Sequence, residues 1–160
     1  MGERIGSWVS GLCVLALGLT AGAMLAEAAI LVPYWQSLAP SDFFDWYAAN
    51  ASLLVDFYSP LEISAAVSAI ACAIWYSVRS RPGAGLWWLA ATLSIFVLVM
   101  FFLYFEEANA GFAERAIAEG DVADALATWG TWQWARVAVG FTAFAVAVWA
   151  LRKNAASRAR

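Results

Sequence analysis

Five ionisable side chains lie inside long apolar runs of the sequence or at their ends: Glu27, Glu62, the adjacent Glu106 and Glu107, and Arg136. A charge at the centre of a bilayer costs at least about 2.5–3.5 kcal/mol on insertion scales, so charged residues in apolar runs usually have a function. Carboxyl groups can transfer protons, and a guanidinium can stabilise a developing negative charge. These residues are therefore the first candidates for chemistry.

Two of these residues, Glu27 and Arg136, are predicted to lie at the same depth. The outer end of each apolar run is defined here as the end next to the acidic loops. With a rise of about 1.5 Å per residue, Glu27 lies about 8 Å below the outer end of the first run and Arg136 about 9 Å below that of the last. Because an unpaired charge there is costly, we expect an ion pair or a short hydrogen-bonded network between them. A purely structural pair is the alternative.

Other polar residues are predicted to converge on the same outer region. Asn109 follows Glu106 by three residues and Gln133 precedes Arg136 by three, so each pair shares a helix face. Carboxyl groups and an arginine beneath Trp, Phe and Tyr side chains would form an aromatic-lined pocket with a polar end, the usual form of a small-molecule site. For the three later glutamates, the alternative is an ionised, hydrated position at the level of the lipid headgroups.

A metal site is a second interpretation of the same groups. Glu27, Glu62, Glu106 and Asn109 carry the oxygen ligands that calcium or manganese prefers. The sequence contains no histidine, whereas the recurrent di-metal design of four-helix bundles needs a Glu-x-x-His motif on two helices. The sequence therefore predicts no cofactor, with a carboxylate-bound metal as the less favoured alternative.

The composition indicates that these residues belong to a membrane protein. Of the 160 residues, 64% are hydrophobic and 13% are charged, against about 45–50% and 25% in soluble domains. This excludes a water-soluble enzyme, a disordered chain and a disulfide scaffold. A net charge of -3 does not supply the basic surface of a nucleic-acid binder.

Four apolar segments are long enough to cross about 30 Å of hydrocarbon, and they lie at residues 8–32, 60–78, 86–105 and 130–151. They predict one domain over residues 1–160: an all-α, membrane-embedded four-helix bundle. The Pro/Gly-rich connection 79–85 makes the second and third spans a hairpin. We expect short interfacial helices in the outer loops, one after an N-cap at Ser41. Residues 114–128 are predicted to form either a solvated helical hairpin or a cover over the site.

The charges predict the orientation of the bundle. Eleven of the twelve acids lie in the two long loops or in the halves of the spans that face them. Basic residues concentrate at the opposite side, which the positive-inside rule makes cytoplasmic together with both termini, in a cell inner or plasma membrane. Seven of the nine basic residues lie there: Arg4, Arg79, Arg81, Arg152, Lys153, Arg158 and Arg160. We interpret the first apolar run as a span rather than a cleaved signal peptide, because it exceeds the about 7–15 residues of such a peptide's apolar region.

Small residues predict how the helices pack, because close approach of backbones drives helix association in lipid. One predicted contact face runs through Gly18, Gly22 and Ala26, and another through Ser64, Ser68 and Cys72. The two cysteines, at positions 13 and 72, are expected to pack as small apolar residues.

The chain resembles the anthrone-oxygenase-like family of small membrane proteins in several short motifs. These are Gly18-Leu-Thr-Ala-Gly-Ala-Met, Val32-Pro33-Tyr34-Trp35, Asn109, and Trp129-x-x-Trp132-x-Trp134-x-Arg136. The resemblance implies four spans and, as in a few fungal members, oxidation of a polyketide anthrone to an anthraquinone by dioxygen without an obvious metal. Asn109, Trp132 and Arg136 are the matched positions. The glutamates are features of this sequence.

The favoured hypothesis is therefore an oxygenase of lipophilic aromatic molecules such as anthrones or quinols. Glu27 would take a C–H or phenolic proton, Arg136 would stabilise the resulting anion, and Asn109 would orient the substrate. The residues expected to contact the substrate are Glu62, Glu106, Trp132 and Gln133. The alternative is a non-catalytic accessory or scaffold subunit; a transporter is less favoured because no inverted repeat is evident. Expected partners are membrane lipid, a lipophilic small molecule, and a membrane protein or second copy of the chain, with no nucleic acid.

Overall fold

The fold is an all-α bundle of four long helical spans, as the apolar segments predict. The computed structural model describes the backbone of residues 2–158 and the side chains of residues 6–153. The spans are Gly6–Ser37, Pro40–Val78, Ala84–Ala113 and Glu119–Lys153. Each is long and apolar enough to cross a membrane, which indicates a multi-pass membrane protein.

The first span changes helix type near its outer end. It consists of α1 (Gly2–Ala26), a π-helical turn (Glu27–Leu31) and α2 (Val32–Ser37). Pro33 has no backbone N–H, so the regular α-helical ladder cannot continue through it. The amide of Val32 donates to the carbonyl of Glu27 five residues back, and the wider turn accommodates the proline.

The second span, α3 (Pro40–Val78), is one helix of 39 residues. The connection predicted for residues 33–59 is therefore helical for most of its length. The expected interfacial helix is its continuous outer part instead of a separate element. The predicted N-cap at Ser41 is wrong: Ala39 occupies the cap position, and Pro40 begins the helix, where a missing N–H has no cost.

The third span contains α4 (Ala84–Met100), a second π-helical turn (Phe101–Phe105) and α5 (Glu106–Ala113). The hairpin from α3 is tight, as predicted, and turns through positive φ angles at Ser80 and Gly83. After α5, a 3-10 turn (Glu119–Asp121) leads into α6 (Val122–Arg158). Most of the second half of the predicted 114–128 hairpin is therefore the first part of α6.

Two large, differently packed cores hold the bundle together, with a small third cluster at Met24, Ala28, Val97 and Val137. The inner half is packed through small residues, which let the helix backbones approach closely. The outer half is an aromatic cluster around Trp35, Phe43, Phe105 and Trp129. The buried alanines of the inner core are Ala65, Ala69, Ala73, Ala90, Ala91, Ala143, Ala147 and Ala150.

The predicted small-residue faces were partly wrong. Gly22, Ala26 and Ser64 are exposed, so they face away from the bundle. The contact face of α1 includes Leu17 and Ala21 instead, one position away in the helical repeat. Both cysteines are fully buried in the inner core, as expected.

Candidate functional site

A hydrogen-bonded network of four buried side chains joins three of the spans. Arg136 forms an ion pair with Glu62 and donates to Oε1 of Gln133 at 3.2 Å. Gln133 in turn donates to Oε2 of Glu27 at 2.7 Å and to the carbonyl of Met24 at 3.1 Å. At most 6% of each of the four residues is exposed, which is typical of charges held inside a bundle by mutual pairing.

The network confirms that Glu27 and Arg136 are linked, but the link is indirect. Gln133 bridges them, whereas the ion pair of Arg136 is with Glu62. The alternative of a hydrated Glu62 at headgroup level is therefore wrong, since this side chain is buried within the bundle. Glu62 is 22 residues into α3, deep enough to face Arg136 across the bundle.

The π-helical turns help to position the network. Glu27 begins the first turn, and Phe105 ends the second. The guanidinium carbon of Arg136 lies 4.5 Å from the centre of the Phe105 ring, within the range of a cation–π contact. π-helical turns are rare and occur frequently at functional sites.

The network lies nearer to the acidic ends of the spans than to their basic ends. Counting about 1.5 Å per residue, Glu62 lies about 24 Å from Val78 and Arg136 about 26 Å from Lys153. Against a hydrocarbon thickness of about 30 Å, these distances place both residues in the half of each span next to the acidic loops. The aromatic cluster continues beyond this level.

A cavity of about 280 Å³ reaches the network from the side of the bundle. It lies between α3 and the outer part of the third span. Three of its lining residues, Val55, Glu106 and Ala110, are exposed and mark the opening. Its inner end is formed by the carboxyl groups of Glu27 and Glu62 and by Arg136. Its other lining residues are Tyr47, Ala51, Leu54, Tyr58, Ser59, Phe101, Asn109, Ala113 and Trp129.

The structure brings most of the predicted site residues together. Asn109 lines the cavity, and its Oδ1 accepts a hydrogen bond of 2.9 Å from Nε1 of Trp129. Gln133 lies behind the cavity wall, within the network. Trp132 is placed elsewhere: it stacks on Tyr104, with ring centroids 5.0 Å apart, and is not among the lining residues.

The sequence interpretation missed two tyrosines. Tyr47 and Tyr58 line the cavity from the outer part of α3, which was expected to be a separate interfacial helix. The hydroxyl of Tyr58 donates to the carbonyl of Ala23 at 3.4 Å, which ties α3 to α1 beside the network. A signal was present, because Tyr58 precedes Glu62 by four residues and thus shares its helix face.

The same geometry bears on the metal interpretation. Among the described residues, no group of three or more Cys, Asp or Glu side chains lies close enough to hold a metal ion. Glu62 already faces a guanidinium and Glu27 accepts from an amide. A metal would have to displace both interactions.

The arrangement offers three chemical capabilities at the end of a largely apolar cavity. A carboxyl group of Glu27 can exchange a proton, Arg136 can stabilise negative charge, and the amide of Asn109 can form a hydrogen bond. The Nε of Arg136 is buried and has no hydrogen-bond partner among the described residues.

No family model, no curated protein and no solved structure matches this chain.

Proposed function

We propose that the protein binds a lipophilic aromatic molecule in the lateral cavity and oxidises it with dioxygen, as the resemblance to the anthrone-oxygenase-like family implies. The observation that carries the proposal is the meeting of an aromatic-lined cavity with the buried Glu27–Gln133–Arg136–Glu62 network. A few convergent polar groups at the end of an apolar space are typical of small-molecule sites.

The size of the cavity supports a compact ligand. Its volume of about 280 Å³ is near the lower limit of about 300 Å³ for ligand pockets. A fused-ring system would fill most of such a space. Any longer apolar substituent would extend through the opening beside Val55 and Ala110 toward the surrounding lipid.

The proposed reaction converts the ring methylene of an anthrone to a carbonyl. The carboxylate of Glu27 takes one methylene proton, and Arg136 stabilises the enolate oxygen that results. The carbon then reacts with dioxygen, loses its second hydrogen and keeps one oxygen atom. The other oxygen leaves as water with the two hydrogens, so a four-electron oxidation of carbon matches the four-electron reduction of dioxygen.

The cavity also bears on the alternative function. A scaffold or accessory subunit needs only a solid core and an outer face for its partner. A network of buried charges beside a cavity costs stability without serving that role. We therefore favour ligand binding and catalysis. Orientation with both termini in the cytoplasm of an inner or plasma membrane remains part of the proposal, on the distribution of basic residues.

The test uses the purified protein in lipid nanodiscs with anthrone and dissolved oxygen. Anthraquinone formation and oxygen consumption are measured together, and equal molar amounts are expected. Glu27→Gln should lower the rate by about 10²–10⁴-fold, the usual contribution of a general base. The matched control is Glu107→Gln, an exposed glutamate that does not line the cavity.

Two results would contradict the proposal at different points. Full activity of the Glu27→Gln variant would remove the assigned role of that carboxylate. Absence of oxygen consumption by the wild-type protein, with anthrone shown to bind, would remove the oxygenase activity and leave a binding protein. Mass spectrometry of gently extracted protein would then identify the natural ligand.

A further inference from the structure

We infer that the lateral cavity also binds planar lipophilic organic cations, with the carboxylate of Glu27 as their counter-charge and the aromatic side chains around it as the walls of the site. The inference shares with the proposed function only the premise that the cavity holds a ligand. It does not depend on dioxygen or on any reaction in the cavity.

Glu27 is a buried carboxyl group without a cationic partner. It is 6% exposed, and its Oε2 accepts a hydrogen bond of 2.7 Å from the neutral amide of Gln133. This length falls within the range of about 2.7–2.9 Å that is typical of hydrogen bonds to ionised groups. In the described part of the chain no Lys or Arg pairs with Glu27, since Arg136 is paired with Glu62. Buried charges are normally paired with an opposite charge, so a cation is the partner that this carboxylate lacks.

The second oxygen of Glu27 is open to the cavity. Glu27 is one of the lining residues, and its Oε1 has no hydrogen-bond partner among the residues that the structure describes. The described polar atoms that lack a partner and are also closed to solvent are Nε1 of Trp35, Nε1 of Trp87 and Nε of Arg136. Oε1 of Glu27 is not one of them, so a molecule bound in the cavity can reach it.

The charges around the cavity favour a cation over an anion. The carboxyl groups of Glu27, Glu62 and Glu106 line it, whereas Arg136 is the only positively charged lining side chain within the described residues. Because Arg136 is paired with Glu62, two acidic groups remain, Glu27 at the inner end and the exposed Glu106 at the opening. Charges interact strongly where water is largely excluded. A bound cation is therefore attracted by both groups, and a bound anion is repelled.

Aromatic side chains complete a site for a flat cation. The rings of Tyr47, Tyr58, Phe101 and Trp129 line the same cavity. A cation within about 6 Å of the centre of such a ring is attracted by its negative face, and aromatic cages bind quaternary ammonium groups in this way. An uncharged ring molecule packs against the same walls, so the charge of the ligand is what distinguishes the two classes.

Two probes of matched shape test the inference: 10-methylacridinium and 9-methylanthracene. They have the same three-ring skeleton, and one positively charged nitrogen replaces one ring carbon. Binding is measured to the full-length protein in nanodiscs of zwitterionic phosphatidylcholine, with protein-free nanodiscs correcting for partition into lipid. The cation should bind at least about tenfold more tightly than the neutral molecule, because only the cation gains the attraction of Glu27 and of the ring faces.

Charge-removing variants assign this preference to the carboxylate. Glu27→Gln keeps the size of the side chain and should weaken binding of 10-methylacridinium by about tenfold or more, while binding of 9-methylanthracene stays near wild type. A purely structural role of Glu27 would change the binding of both probes alike. The matched control is Glu107→Gln, which removes the charge of an exposed glutamate outside the cavity lining and should leave both affinities unchanged.

The comparison within the wild-type protein decides the matter even if Glu27→Gln does not fold. Equal affinities for the two probes, tighter binding of 9-methylanthracene, or binding of neither probe would overturn the inference. A wild-type preference in the folded Glu27→Gln variant would also overturn it, because the cation would then have another counter-charge. Oxidation of anthrone without a preference for the cation would remove this inference and leave the proposed function intact. A preference for the cation without oxidation of anthrone would support the inference and remove the oxygenase activity.

Discussion

Arg136 and Glu62 illustrate why a buried ion pair is sensitive to the loss of one partner. Both side chains are 6% exposed, so neither is well solvated when the other is removed. The attraction within such a pair largely offsets the cost of taking two charges out of water. Removing one partner leaves an uncompensated charge inside the bundle.

We predict that Glu62→Gln lowers the free energy of unfolding by about 3–5 kcal/mol, the usual cost of breaking a buried pair. The matched control is Asp45→Asn, which breaks the pair with Arg115. Those side chains are 68% and 50% exposed, so this change should cost about 0–1 kcal/mol. Both are measured by denaturant unfolding in the same detergent. Equal losses for the two variants would contradict the buried pairing.

The partner of Arg136 shows what residue-level reasoning could and could not predict. The depths of Glu27 and Arg136 follow from counting residues, because the rise of a helix is nearly constant. Which glutamate contacts the arginine depends also on the rotation of each helix about its axis. The sequence does not determine that rotation when, as in α1, the apolar residues surround the helix. Gln133 could thus be placed on the correct face but not recognised as the bridge.

At the scale of elements, each of the two π-helical turns determines the direction in which the side chains of the following helix, α2 or α5, point. Each residue of an α-helix advances the side-chain direction by about 100°. An extra residue in a widened turn therefore rotates the following helix relative to the preceding one. In the third span, this register directs Phe105 toward Arg136 and places Asn109 on the cavity.

Deletion of Leu103 should abolish ligand binding and lower stability, because restoring a regular helix would rotate Asn109 and Phe112 by about 100° relative to Val97. The side chain itself is 66% exposed, so its loss removes little packing. Leu103→Ala is the control and should leave both properties near wild type. Anthraquinone affinity and denaturant unfolding measure the two effects. Wild-type behaviour of the deletion variant would show that the turn does not set the register.

The outer half of α3 was predictable in part. Tyr47, Ala51, Leu54, Tyr58 and Glu62 follow one another at three- and four-residue steps, and all line the cavity. That spacing is typical of a helix. Asp56 at an intervening position and Pro60 made the segment resemble a connection between spans. The proline is nevertheless tolerated within α3, as it can be in a membrane helix when neighbouring groups satisfy the freed carbonyl.

At the scale of the whole molecule, the cavity opens between spans and not at an end of the bundle. The aromatic cluster closes the outer end above the network, and the alanine-rich core closes the inner end. A lipophilic ligand would therefore enter from the side. Ala110 lies at this opening and is small and exposed.

We predict that Ala110→Trp lowers the association rate of anthraquinone without lowering the stability of the bundle, because an indole at this position obstructs the opening. The control is Ala135→Trp, which adds the same group to an exposed face of α6 away from the cavity. Stopped-flow fluorescence of the two variants in nanodiscs gives the rates. An unchanged rate for Ala110→Trp would place the entry route elsewhere.

The orientation of the bundle is the property of the whole molecule that charge alone predicts. Both native cysteines are fully buried, so they should not react with a membrane-impermeant maleimide and need no replacement. Gly85 and Gly120 are exposed, have open space for a side chain and lie at opposite ends of the bundle. Neither has the positive φ found at Gly83, so cysteine can be introduced at both without backbone strain.

In intact cells, Gly120→Cys should be labelled from outside, whereas Gly85→Cys should be labelled only after the membrane is opened. The reverse pattern would invert the bundle. Labelling of both from one side would contradict the four spans, because one span, made of α4, its π-helical turn and α5, separates the two positions and must place them on opposite sides.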